Sequence, residues 1–145
     1  KEYWALLHGK VPNEGSINMP VGRLAWRRER FGVAPGAKPA LTYFEKKGWY
    51  QNSGGEDFSL VAVFPQTGRT HQIRVHFSHL GYPLVSDPFY VGKKRLKSDL
   101  LWCPRLFLHA KKIGFYHPKS NKWVEFVSEL PADLKKALKS LKKKD

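Results

Sequence analysis

An α+β domain built on a mainly antiparallel sheet is the fold class this sequence predicts, and three observations carry that reading. Apolar stretches of strand length follow one another in meander order, closed by turns rich in Gly, Pro and Asn. Helical stripes are few: one over Ile73, Phe77 and Leu80, another over Leu134, Leu138 and Leu141. Residues 58–64, an almost unbroken apolar run, lead through a turn at Gly68 straight into the first of those helices.

Composition narrows the class. A chain of 145 residues makes one domain with a core of its own, and 41% hydrophobic residues with nine Phe and five Trp exclude a disordered chain. No apolar run reaches membrane-spanning length and no secretory signal opens the chain, so no membrane partner is expected and a cytoplasmic or organellar interior fits. The single Cys103 excludes an internal disulfide framework. Lys and Arg number 26 against 12 acidic residues, a net charge of +14. Lys135, Lys136, Lys139, Lys142, Lys143 and Lys144 supply part of it, yet the preceding residues keep a clear excess, which favours a polyanionic partner, nucleic acid ahead of an anionic membrane.

Taken in order, residues 2–8 read as a strand, in which Tyr3 on its own reads as a packing residue. Residues 9–15 form a turn region, and 17–21 lead to a second bend. Residues 26–38 hold Trp26, Arg27, Arg28, Arg30 and Phe31 among Gly and Pro, hence a loop. Arginine beside exposed aromatics suits phosphate pairing and stacking on unpaired bases; the same composition also describes an ordinary basic surface loop. Residues 40–45 are a strand and 49–57 a polar hairpin loop carrying Gly54 and Gly55.

After the strand at 58–64, Thr70 is positioned to N-cap the helix, and Gly81 and Pro83 stop it. Strand, Gly turn and helix in succession aim backbone N–H groups and the positive end of a dipole at one spot, which suits an anion. Arg69, His71, Gln72, Arg74, His76 and His79 crowd this short stretch beside its apolar face, which marks a functional surface without naming a reaction. A metal site on His71, His76 and His79 is the weaker reading, because two same-face histidines need further ligands and no Cys pair or carboxylate cluster supplies them at a recognisable spacing. Asp87, between Ser86 and Pro88, is turn chemistry and takes a structural role. Residues 92–101 form a mobile-looking basic segment. Two strands at 106–115 and 122–127 are joined by a hairpin at 117–121, and a Lys-rich helix at about 131–144 ends the chain.

Residues 65–76 read Pro-Gln-Thr-Gly-Arg-Thr-His-Gln-Ile-Arg-Val-His and residues 81–90 Gly-Tyr-Pro-Leu-Val-Ser-Asp-Pro-Phe-Tyr. This pair of stretches resembles the RluA family of RNA pseudouridine synthases. Three others fall in the expected order: Lys-Glu-Tyr-Trp-Ala-Leu-Leu-His-Gly at 1–9 resembles the family's tyrosine strand, Lys-Pro-Ala-Leu-Thr-Tyr-Phe at 38–44 a middle strand, and Arg-Leu-Phe-Leu-His-Ala at 105–110 a late one. The resemblance covers the chain from Tyr3 to about Leu134. It implies the pseudouridine synthase sheet with a cleft along one face, and isomerisation of uridine in rRNA or tRNA after the base is flipped out, with no cofactor and no metal. Carried over residue by residue, it gives Tyr3 the role of packing against the target base, with proton movement as a second role. Arg74 becomes the basic partner of the catalytic carboxylate, and Leu108 the aliphatic contact. Arg69, Thr70, His71 and Gln72 then position the substrate or brace the loop, and Arg27, Arg28 and Arg30 meet RNA.

One departure stands out. The family's aspartate lies in a His-Arg-Leu-Asp type motif upstream of the tyrosine strand, and no such motif occurs in this sequence. Since the chain opens at Lys1, already on a strand, residues 1–145 are expected to be the C-terminal portion of a synthase catalytic domain, incomplete at its N-terminal side, RNA-binding and inactive alone. The alternative is a non-catalytic RNA-binding module on the same fold. An incomplete sheet would expose a strand edge and an apolar face, inviting dimerisation. Arg74, deprived of that aspartate, is expected to be solvated, bound to an anion or paired with another residue.

Overall fold

The computed structural model describes residues 1–25 and 30–145. Strand β1 (Glu2–His8) lies in the middle of a seven-stranded sheet, between β6 (Asp57–Pro65) and β7 (Leu108–Tyr116). Beyond β6 the sheet continues through β5 (Leu41–Gln51) to β2 (Glu14–Asn18), and beyond β7 to β8 (Trp123–Val127). A two-residue β9 (Lys142–Lys143) pairs with the end of β5. Every pairing is antiparallel. A separate ribbon joins β3 (Val21–Arg23) to β4 (Phe31–Val33).

Because β1 is buried on both faces, its sequence is nearly all apolar. Ala5 and Leu7 point into one cluster with Val61, Val63 and Phe44, closed by Ile73 and Phe77 of α1 (Gln72–His79). Leu6 points the other way, to Leu60, Phe58 and Phe107, closed by Leu134 and Ala137 of α3 (Ala132–Lys139). Val75, on another side of α1, packs with Val21 and Ala40 and against the partly buried Phe31 and Val33, so the ribbon is fastened to the helix rather than to the sheet.

Several expectations are corrected. Part of the loop at 26–38 is strand, since Phe31–Val33 is β4; Arg27 and Arg28 lie outside the described residues. The loop placed at 49–57 shrinks to 52–56, because Trp49 and Gln51 pair with Ser59 and Asp57, and Asp57 accepts hydrogen bonds from both side chains. The segment at 92–101 holds a helix, α2 (Lys93–Asp99), with no apolar stripe to announce it. A buried carboxylate anchors it instead: Asp99 Oδ2 lies 2.8 Å from His8 Nε2 and accepts the Ser86 N–H at 2.9 Å. The final helix stops at Lys139, and Lys142 and Lys143 after it form β9. Leu80 is exposed as the C-cap of α1, which ends in a Gly81 turn of φ 87° with Gly81 N–H to Ser78 O and Tyr82 N–H to Phe77 O.

The β7–β8 hairpin is the least covered part of the sheet, with Phe126 59% and Trp123 53% exposed. No helix among the described residues is long and apolar enough to cross a membrane.

A buried polar chain locks α1 to β5. His76 is fully buried; its Nε2–H donates to the Met19 carbonyl at 2.9 Å, so its Nδ1 accepts the Thr42 hydroxyl at 2.8 Å. Thr42 Oγ1 in turn accepts from Gln72 Nε2 at 2.9 Å. With both ring nitrogens engaged, His76 is held neutral, and burial lowers its pKa below the usual histidine value. His71 is shifted the same way, first by burial and then by the Arg74 charge. Below the ordinary histidine value of about 6.5 the unfolded chain takes up protons that the folded chain refuses, so stability is complete above that pH and is lost as pH falls. Denaturant midpoints should therefore drop between pH 7.5 and 5.5, and drop less in His76→Gln. A midpoint indifferent to pH across this range contradicts the neutral, donor-saturated histidine.

Candidate active site

The turn between β6 and α1 is held by the side chain of Gln72. Its Oε1 accepts the Thr67 hydroxyl at 2.7 Å and the Arg69 N–H at 3.1 Å, and its Nε2 donates to Leu41 O and Thr42 Oγ1. The expected N-cap role of Thr70 is not found. The cap position belongs to His71, in the left-handed region at φ 57° and without a side-chain cap bond, so the chain bends sharply between Thr70 and the helix. Of the two roles open to Gln72, its hydrogen bonds serve the bracing of the loop.

Past this turn lies an open cleft of about 600 Å³. Tyr3, Leu106, Leu108 and Ile73 give it an apolar side; Arg69, His71 and Arg74 give it a polar one. Tyr3 and Leu108 come from adjacent strands, where Tyr3 pairs with Ala110 and Ala5 with Leu108. Residues 3, 74 and 108, far apart in sequence, thus line a single cavity, of a size typical for small-molecule recognition. Among the described residues, none that lines it carries a carboxylate.

Arg74 is paired, the third of the outcomes expected for it. Its Nε and Nη2 meet Asp87 Oδ2 and Oδ1 at 2.9 and 2.7 Å in a two-pronged contact. The Asp87 side chain is wholly buried and that of Arg74 is 13% exposed. Asp87 Oδ1 also accepts the N–H groups of Phe89 and Tyr90, and the guanidinium lies 5.2 Å from the Phe89 ring and 5.3 Å from the Tyr90 ring. Among the described residues the Nη1 edge of Arg74 has no hydrogen-bond partner. Asp87 is therefore more than a turn residue: it aims Arg74. Sequence reasoning missed that function, together with Phe89 and Tyr90; the available signal was a carboxylate followed by two aromatics a short turn after a helical arginine.

His71 sits in an aromatic nest, with the rings of Phe31, Phe89 and Tyr90 at 5.5, 5.6 and 5.7 Å. The Tyr90 hydroxyl accepts the Phe31 N–H at 3.4 Å and lies 2.9 Å from His71 Nδ1, which ties β4, α1 and the 87–90 turn into one unit. Arg30 stacks on Phe89 at 5.1 Å and so joins the same cluster as Arg74. Thr70 lies apart from this cavity, in a second cleft on the other side of the turn. Ser86 adopts φ 60°, a conformation easier for glycine; its hydroxyl donates to Cys103 O at 2.7 Å and its N–H to Asp99, which holds the bend in place.

Comparison with known proteins points in one direction. A family model described as RNA pseudouridylate synthase matches residues 1–79. A protein from Chloroflexus aurantiacus described as an uncharacterized RNA pseudouridine synthase is 45% identical over 97% of this chain and 42% of its own length. The protein named ribosomal large subunit pseudouridine synthase C in Buchnera aphidicola is 37% identical over 97% of this chain and 45% of its own. The solved structure of human RNA pseudouridylate synthase domain containing 1 superposes with a TM-score of 0.79 at 28% identity, over 98% of this chain and 58% of that one. The chain spans less than half the length of these two curated relatives.

The pairing of Arg74 with Asp87 has a measurable consequence for stability. Asp87→Ala leaves a mostly buried guanidinium and two N–H groups without their acceptor, and should destabilise the fold by about 2–4 kcal/mol in urea titration. A loss under about 1 kcal/mol would mean that the carboxylate does not hold the arginine.

Proposed function

The chain belongs to the RNA pseudouridylate synthase family, and on that premise we propose that it supplies the tyrosine, arginine and aliphatic side of a site that isomerises uridine to pseudouridine in RNA. The observation that carries the proposal is the convergence of Tyr3, Arg74 and Leu108 on one cleft. Tyr3 presents a ring on which a flipped-out base stacks, Leu108 and Leu106 exclude water beneath it, and Arg74 offers a guanidinium edge to an anion or a carbonyl oxygen. The reaction breaks the bond from ribose to the ring nitrogen and remakes it to a ring carbon. It also requires a carboxylate acting on the nucleoside, and Asp87 is unsuited to that task because it is buried behind Arg74 with both oxygens engaged.

The net charge of +14 supports an RNA partner. The name of the Buchnera relative supports large-subunit ribosomal RNA as the substrate class, ahead of tRNA. Self-association through the exposed β7–β8 hairpin belongs to the same proposal, since Tyr116, Trp123 and Phe126 stand exposed at this edge of the sheet.

The test uses the 145-residue chain and a hairpin RNA with unpaired uridines in its loop, tritiated at the ring carbon that gains the new bond. Binding should be seen by fluorescence anisotropy, without tritium release. Tyr3→Ala should weaken binding by about 5-fold or more, the range of one lost stacking contact, while Tyr3→Phe should bind as the parent does. Tritium release by this chain alone would show that its own residues include the catalytic carboxylate. No binding at all would sink the proposal.

A further inference from the structure

Across the Gly68–Arg69 turn from the cleft of Tyr3 and Arg74 lies a second one, about 560 Å³, between the β3–β4 ribbon and the start of α1. Among the described residues that line it, the cations are Arg23, Lys38 and Arg69, and none is acidic. The ammonium of exposed Lys38 has no hydrogen-bond or ion-pair partner among the described residues. Arg69 uses its Nε–H on Pro39 O at 2.8 Å, which fixes the guanidinium while its terminal nitrogens make no hydrogen bond among the described residues. Arg23 lies over the Phe31 ring at 4.9 Å. Gly36 and Gly68 leave backbone bare along the cleft, and a Cβ at either position would meet no atom within 4 Å.

Lys38 and Arg69, with uncommitted N–H groups on bare backbone walls and no carboxylate among the described lining residues, make a receptor for a negatively charged oxygen cluster rather than for a base. The two clefts share Gly68 and Arg69, so one strand of RNA can lie across the turn. We propose that the second cleft is a phosphodiester site, which takes the backbone of the nucleotide next to the one whose base enters the cleft of Tyr3. The inference rests on the reading that the first cleft receives an RNA base. Mechanically, gripping the neighbouring phosphate gives the strand a fixed point from which the target nucleotide is turned outward, and Arg69 touches both sides of that pivot.

Lys38 lines the second cleft only, so Lys38→Gln separates the two sites. Binding of the 145-residue chain to the loop RNA is measured by anisotropy between 50 and 200 mM salt. A single phosphate contact to a single strand contributes about 0.7 to the slope of log K against log salt. Lys38→Gln should therefore flatten the slope by about that amount and lower affinity several-fold at the low-salt end. Replacing the phosphate next to the loop uridine by an uncharged methylphosphonate should weaken the parent more than it weakens Lys38→Gln, in which Arg69 still meets that phosphate. Lys139→Gln, at an exposed lysine on α3, controls for general charge loss. An RNA that binds the parent with Lys38→Gln indistinguishable from it, or equal losses in Lys38→Gln and Lys139→Gln, overturns the phosphate site and leaves the base cleft standing. An RNA that does not bind the parent overturns the base cleft and this site with it.

Discussion

Everything near the clefts hangs on one buried relay of hydrogen bonds that runs from the Met19 carbonyl through His76, Thr42 and Gln72 to the Arg69 N–H. Each polar atom in it has its complement, and the direction of donation is forced: Met19 O can only accept, which fixes the imidazole tautomer, and that fixes the Thr42 hydroxyl. The relay joins four segments that the sheet alone would leave independent, namely the approach to β3, strand β5, the Gly68 turn and α1. A net gain of about 1 kcal/mol per bond is modest, but a break would orphan a buried group at about 1–3 kcal/mol, so the helix has a single seating. Arg69, His71 and Arg74 are all carried on that seating.

Arg74 shows how a cation is held ready without being neutralised. Asp87 occupies one edge of the guanidinium, and the Phe89 and Tyr90 rings lie against it at 5.2 and 5.3 Å. The planar fork tolerates this, because Arg retains N–H groups on the edge that Asp87 does not reach; a lysine ammonium in the same place would have neither the second prong nor the second edge. Orientation is thus settled before any ligand arrives, which is the condition under which an electrostatic contact is most effective.

Much of this was legible in the sequence where one period or one turn decides the outcome. Strand β1, the β6 run, the hairpin at 117–121 and the Gly81 stop all declare themselves by alternation, apolarity or a left-handed glycine. Tyr3, Arg74 and Leu108 entered through a motif resemblance, since nothing in their spacing brings them together. What stayed hidden is held by single long-range contacts. Helix α2 depends on Asp99 reaching His8, 91 residues away, and the partnership of Arg74 and Asp87 requires a turn whose path no local pattern gives. Thr70 misled for a related reason: N-cap preference is a local rule, whereas the cap position falls on His71 in the left-handed region and the Gln72 N–H goes to Arg69 O.

The location of the cleft follows from an asymmetry between the two faces of the sheet. One face is closed along β1 by α3 and the Phe107 segment; on the other, α1 covers Leu7 and Ala5 with Phe77 and Ile73, and the cover stops at the helix's first turn. Side chains on a strand repeat with a period of two, so the next residue on that face after Leu7 and Ala5 is Tyr3, which emerges beyond the start of the helix into open space. Trp4, one residue along, turns to the opposite face, where it packs with the second core cluster and meets Lys111 at 5.0 Å. A register slip of one residue would exchange the two and present an indole to the wrong side of the molecule. The paired strands forbid that slip, because it would also expel Ala5 and Leu7 from the core. The position of the phenol is therefore fixed by the burial of its neighbours, and the reach of the cleft by the residue at which α1 begins.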